Sequence, residues 1–304
     1  TGVYAMDFIL YIAIIFIALV IWSIVNEYKH KKLIIKQLEE EWGFYPENEY
    51  SPIKMEAIKA LYLSEKDNHL DVDDITWHDL DMDEIYKLIN NTQCSLGEEC
   101  LYALLRKPSF SKEELEERNR LIEYFRSHKI ERIAIQAKLK NVGKLRNLSV
   151  FDYTGKLSGQ KPQSNLPHYI LNIALLVSIG LILIKPFLGV SLTITTISLN
   201  IFSYFKYKAK IDNYISIIAF QLRLLDSTEA ILKISVPELD AYFKQLASDF
   251  KTFKQYKRGS FIVVARNVTG SILEAVIDYY RIITHHDIIK YNSMVSYFKK
   301  HMDT

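Results

Sequence analysis

The sequence predicts a mainly α-helical protein in which a helical core is joined to apolar segments of membrane length. Two patterns carry this prediction. Ser or Asp residues stand three positions ahead of an acid and open runs whose apolar residues recur at helical spacing. Three other runs, Phe8–Val25, Tyr169–Ile184 and Phe187–Phe205, are apolar all round, whereas a core helix of a soluble protein keeps a polar face.

Phe8–Val25 approaches the ~20 residues that cross a hydrocarbon core and carries Trp22 near its end. It is read as a membrane anchor, residues 1–28. A signal peptide is the competing reading, but no Lys or Arg precedes the run and no small-x-small cleavage site follows before Asn26, Glu27 and Tyr28. Leu33–Gly43 continues as a polar helix, and Ser51-Pro52 starts another with Ile53, Ala57, Ile58 and Leu61 inward. The acidic stretch Asn68–Asp83 is read as a solvated loop. Its Asp79-x-Asp81-x-Asp83 spacing suggests a calcium loop, but Glu84 stands where Gly is needed and Asn90 where Glu is needed, so that reading is rejected.

The next stretch, Asp81–Pro108, is the most regular. Asp81 with Glu84 predicts a capping box, followed by the apolar stripe Ile85, Leu88 and Ile89 and a stop at Asn90-Asn91-Thr92. Ser95 with Glu98 predicts a second box, opening a helix that buries Leu101, Leu104 and Leu105 and ends at Pro108. Ser111 with Glu114 opens a third helix, Ser111–His128, with Leu115, Ile122 and Phe125 as its stripe. Cys94 and Cys100 have no metal-type spacing and form no disulfide framework. They suit a reducing cytoplasm, with Cys100 packing as a small hydrophobe.

Gly143–Pro167 reads as a loop, and its glycines fail the phosphate-loop pattern. The two apolar runs after it are parted only by Lys185 and Pro186, which predicts a tight hairpin over 169–205, crossing the bilayer or, in the alternative reading, buried in a soluble core. Lys29, Lys31 and Lys32, then Lys156 and Lys161, then Lys206, Lys208 and Lys210 flank these runs on one side. This places the N-terminus outside and both polar regions in the cytoplasm. The last three lysines are read first as topology signals and anionic-lipid contacts, and second as DNA phosphate contacts.

In residues 206–304, Ile211, Tyr214, Ile215, Ile218, Leu222 and Leu225 extend the helix leaving the hairpin. After Pro237, the stripe of Leu239, Tyr242, Phe243, Leu246, Phe250 and Phe253 reads as helix core in preference to a base-stacking surface. Lys251, Lys254, Lys257 and Arg258 form a basic face, a solvated one or a phosphate contact. Gly259 ends this helix. Ser260–Ala265 is the best strand candidate, Asn267–Gly270 a turn, and a long helix runs from Ser271. His285, His286 and Asp287 would point to different sides of that helix, so no metal site is expected. No catalytic set stands out, and 38 basic against 36 acidic residues leave no overall nucleic-acid footprint.

The run of a helix, Asn90-x-Thr92, Gly97, Leu101, Leu105 and Pro108 resembles the opening of the core domain of the DNA mismatch-repair MutS family. Phe250–Asn292 is similar to a later core segment of membrane-anchored MutS-like bacterial proteins. The resemblance implies a helical core and lever, with 29–168 holding the first part of the core and 206–304 the second, at the cytoplasmic face of a bacterial membrane. It further implies a close helix approach at Gly97. ATP and Mg are expected only if an ATPase domain follows, since these 304 residues contain no phosphate loop. The expected partners are the lipid bilayer, DNA, and either a second copy or a MutS-like ATPase. The chain itself is read as a non-enzymatic coupling module, the alternative being a membrane scaffold that binds proteins and no DNA.

Overall fold

The computed structural model describes residues 2–67, 70–161, 163–253 and 272–302. The protein is mainly helical, 79% helix, with no strand among the described residues. Contacts divide the chain into two compact units. The first combines Thr1–Lys36, Ser164–Lys210 and Phe261–Lys290; the second combines Gln37–Gln163, Ile211–Ser260 and Tyr291–Thr304. Segment 206–304 is therefore shared between both units. The strand candidate Ser260–Ala265, the turn Asn267–Gly270, Gly259 and the basic residues Lys254, Lys257 and Arg258 lie outside the described residues.

Helix α1, Gly2–Glu40, runs unbroken from the apolar N-terminal run into the polar one. In the second unit α2, Pro52–Ser64, starts where expected: Ser51 Oγ accepts from Lys54 N at 3.1 Å and Pro52 fills the first turn. Its buried residues are Met55, Ile58 and Tyr62, while Ile53 faces outward. The acidic stretch is not all loop. Asp73 caps a short helix α3, Asp74–Asp79, whose Trp77 is buried and donates to Asp83 at 2.8 Å. Helix α4, Met82–Ile89, follows without the expected capping box: Asp81 sits at φ +50° and makes no side-chain cap, and Glu84 pairs with Lys87.

Helix α5, Ser95–Arg106, departs furthest from its sequence pattern. Its buried residues are Ser95, Glu98, Glu99, Tyr102, Ala103 and Arg106, whereas Leu104 is 43% exposed. The expected Ser95–Glu98 box does not form. Cys94 is the N-cap, Ser95 Oγ accepts from Leu145 N at 2.6 Å, and Glu98 turns inward. Of the cysteines it is Cys94 that is buried, and Cys100 is exposed. Helix α6, Lys112–Ser127, keeps its Ser111 cap, but it buries Tyr124 and leaves Leu115 and Ile122 exposed. Helix α7, Lys129–Val142, follows after His128, which stacks on Tyr124. Inside the expected Gly143–Pro167 loop lies helix α8, Val150–Ser158, capped by Ser149.

Among the described residues, three apolar clusters lie in this unit. Tyr62, Trp77, Tyr86 and Tyr102 pack with Met55, Ile58 and Ala103, with Leu101 and Leu105 at the margin. Cys94, Val142, Val150 and Phe220 join α5, α7, α8 and the long helix α10, Pro186–Ile231. Tyr124 meets Val236 and Leu239 beside a single 3₁₀ turn, Pro237–Leu239, which leads into α11, Asp240–Phe253. The α11 stripe is only half realised, since Leu239 is buried while Tyr242 and Phe253 stay exposed.

In the first unit α9, Leu166–Ile182, turns back at 183–185 into α10, with Pro186 at the start of the second helix. Hydroxyls tie the hairpin: Ser178 Oγ lies 3.2 Å from both Thr193 Oγ1 and Thr196 Oγ1. Gly189 permits the closest approach, because a Cβ there would stand 2.4 Å from Ile182 N and 2.6 Å from Ile182 Cα. Among the described residues α10 is the helix long and apolar enough to cross a membrane, with mean hydropathy 1.4 in an apolar window that is 17% buried. Helix α9 is apolar but shorter, 17 residues or about 26 Å. Instead of one long C-terminal helix there are two, α12, Ile272–Thr284, and α13, His286–Met302, broken at His285 with φ +55°.

The Gly189 contact is with backbone, which cannot rotate away. Gly189→Ala is expected to cost about 1–3 kcal/mol by overpacking. The measurement is thermal loss of helical circular dichroism in micelles, and an unchanged midpoint would mean that the turn is not closed as described.

Candidate functional site

Of the residues that carried the family resemblance, Asn90, Thr92 and Gly97 meet in one place. Asn90 is fully buried, and its amide nitrogen reaches Tyr50 Oη at 2.9 Å, Tyr86 Oη at 3.0 Å and Glu98 Oε1 at 3.4 Å. Its amide oxygen accepts from Thr92 Oγ1 at 2.6 Å, and its carbonyl accepts from Asn48 Nδ2 at 3.0 Å. A Cβ on Gly97 would stand 3.1 Å from Thr92 Cβ, so a larger residue would push the Thr92 side chain back by a few tenths of an ångström. Leu101 and Leu105 are half-buried on the aromatic cluster, and Pro108 is exposed just past the end of α5. Asn90, Thr92 and Gly97 help set where α4 meets α5, and Leu101 and Leu105 pack on the aromatic cluster.

Around this knot α5 buries charge, and each charge has its own partners. Glu98 lies 3.2 Å from Lys54 Nζ and 3.0 Å from Lys144 Nζ. Glu99 accepts from Ser149 Oγ at 3.0 Å, Val150 N at 2.6 Å and Phe151 N at 3.3 Å, the start of α8. Burial pushes its carboxyl up to about 7 against the pull of those three donors. Arg106 lies 4.1 Å over the Trp77 ring and 4.8 Å over Tyr62, donates to Val72 O at 3.0 Å and pairs with Asp74. An open groove of about 690 Å³ runs beside the knot, lined by Phe44, Tyr45, Asn48, Asn91, Gln93 and Lys140 among others. Its lysines Lys140 and Lys144 already pair with Glu41 and Glu98.

Lys206 and Lys210 are exposed on α10 and Lys251 on α11. Lys208 instead turns in, donating to Tyr204 Oη at 2.9 Å, and Tyr204 donates to Asp287 at 2.9 Å. This second buried polar group was not anticipated. On a continuous helix His285 and Asp287 would diverge, but the left-handed residue at 285 turns both toward α10, and His286 packs beside Tyr280. No group of three metal-ligating side chains occurs among the described residues. No family model matches the chain, and no curated protein and no solved structure matches it either.

Asn90→Ala would leave Tyr86 Oη and Thr92 short of a buried partner, at an expected cost of about 2–4 kcal/mol in urea unfolding of the full chain. A loss below ~1 kcal/mol would deny the knot its central role. For Glu99 the sign is set by the raised value. Between the ordinary 4.5 and about 7 the unfolded chain ionises first, so this group's contribution to stability is complete below 4.5 and lost as pH rises through about 7. Plotted against pH, the stability of the native chain minus that of Glu99→Gln should fall across this window; a flat difference would contradict it.

Proposed function

We propose that the chain is a membrane-anchored MutS-like core and lever module, which would couple an ATPase domain to DNA or a partner at the cytoplasmic membrane face. One observation carries the reading: Asn90, Thr92 and Gly97 share a single buried contact joining α4 to α5, in a chain that also carries a hairpin clothed in exposed apolar side chains. Leu176, Val177, Leu183, Ile184, Phe187 and Phe202 are among those outward residues, a surface that lipid would solvate and water would not. The resemblance calls for a close helix approach at Gly97, and the neighbour found there is Thr92 of the loop after α4, so this contact supports a tight junction and not a helix pair. The apolar stretch 187–205 of α10 rises about 29 Å, which suits a hydrocarbon core. The N-terminal run adds an anchor, and the lysines at 206, 208 and 210 favour a cytoplasmic position for the polar segment after them. Within this reading the module transmits movement and presents surface, and it does no bond chemistry.

Two measurements test this. Expressed in bacteria, the full chain should stay in the membrane pellet through alkaline carbonate extraction, and recovery in the supernatant would reject the anchor. Detergent-solubilised protein should bind duplex DNA with an affinity that falls steeply with salt and weakens on replacing Lys206, Lys210 and Lys251 with Ala. No binding even at low salt would reject DNA as the partner and favour the protein-binding scaffold.

A further inference from the structure

The first unit holds a pair of buried histidines that the proposed function does not use. His168, in the first turn of α9, and His285, at the break between α12 and α13, are both essentially inaccessible, and their Nδ1 atoms lie 2.7 Å apart. The other nitrogen of His285, Nε2, lies 2.8 Å from the carbonyl oxygen of Asn200 on α10. A carbonyl only accepts, so His285 must carry its hydrogen on Nε2 and, when neutral, present a bare Nδ1. The hydrogen between the rings then belongs to Nδ1 of His168. That leaves Nε2 of His168 as a bare acceptor, and it is buried with no hydrogen-bond partner.

We propose that His168 and His285 form a buried proton-binding site that takes a single proton, at Nε2 of His168, and so makes the hold of α9 on the α12–α13 corner depend on acidity. A proton added at that atom breaks no hydrogen bond, because His168 still donates from Nδ1. A second proton would have to enter at Nδ1 of His285 and would face the hydrogen already there, so the intact pair stops at one. The same corner is tied by Asn172, which donates to Thr284 O at 2.8 Å, and by Asn165, which donates to Ile289 O at 3.3 Å.

The charges around the pair do not compensate a proton well. From α10 come Tyr204, Tyr207 and Lys208. The Tyr207 ring meets His168 at 4.8 Å, and Lys208 brings a further positive charge that is held on Tyr204. From α12 come Arg281 and its partner Asp278, and from α13 His286, Asp287 and Lys290. Asp287, the nearest anion, is already engaged by Tyr204 Oη and by Ile288 N. Burial holds the His285 imidazole below its ordinary range. An opened corner would return both rings to water and an ordinary value of about 6.5, so it binds more protons than the closed one. Closure is therefore complete above that value and weakens as pH falls below it.

Nitrogen-15 spectra of the full chain in micelles, labelled at histidine, read this directly. At about pH 7.5, His168 should show hydrogen on Nδ1 and a bare Nε2, and His285 the reverse; on going to about pH 4, the one bare nitrogen that gains hydrogen should be that of His168. The same tautomer on both rings, or two independent titrations near 6.5, would overturn the site. Amide exchange in residues 166–172, corrected for intrinsic rates, should accelerate over the same range. In His168→Asn, which keeps a donor near the position of Nδ1 and cannot take a proton, that acceleration should vanish, and its persistence would also overturn the proposal. Should this variant not fold, the spectra of the native chain still decide.

Discussion

The second unit depends on the charges that α5 carries inward. A buried carboxylate without partners would cost several kcal/mol, so Glu98 and Glu99 are tolerable only where Lys54, Lys144 and the start of α8 stand in place. These requirements position the rest: α2 must pass close enough to bring Lys54, the segment after α7 must bring Lys144, and α8 must begin opposite Glu99. Arg106, about two turns further on, does the same by bringing Trp77 and Tyr62 over its guanidinium. The apolar clusters supply most of the driving force for collapse, and the charges select the arrangement.

Much of the helical layout was legible in the sequence. Ser51 and Ser111 cap as their types require, Pro186 starts the return of the hairpin, and three of the residues that suggested a family, Asn90, Thr92 and Gly97, share one contact. Periodicity misled where it assumed that carboxylates face water. On α5 it assigned Leu104 to the core and Glu98 to a capping box and left Glu99 unplaced, because partners more than forty residues away are invisible to a local pattern. The same limit hid α8, whose Ser149 cap lies in a stretch that glycine and proline mark as loop. It also hid the break at His285, a left-handed residue with no glycine to announce it.

The two units satisfy polar groups in different ways. In the second, buried charges are matched by opposite charges or by helix-start amides. In the first, where apolar side chains dominate the surface, the polar groups pair among themselves. Serine with threonine joins the hairpin, histidine with histidine joins α9 to the corner, and tyrosine with aspartate joins α10 to α13.

The long reach of the α5 carboxylates also imposes an order in time. Glu99 draws its donors from Ser149, Val150 and Phe151, about fifty positions along the chain. A nascent chain therefore carries both glutamates in water until those residues have left the ribosome, and the core around α2 and α5 closes only after the start of α8 has emerged. The hairpin is the next segment to emerge. The second unit also draws on 211–260 and 291–304, so it is completed only after the hairpin that separates its parts in sequence has been made.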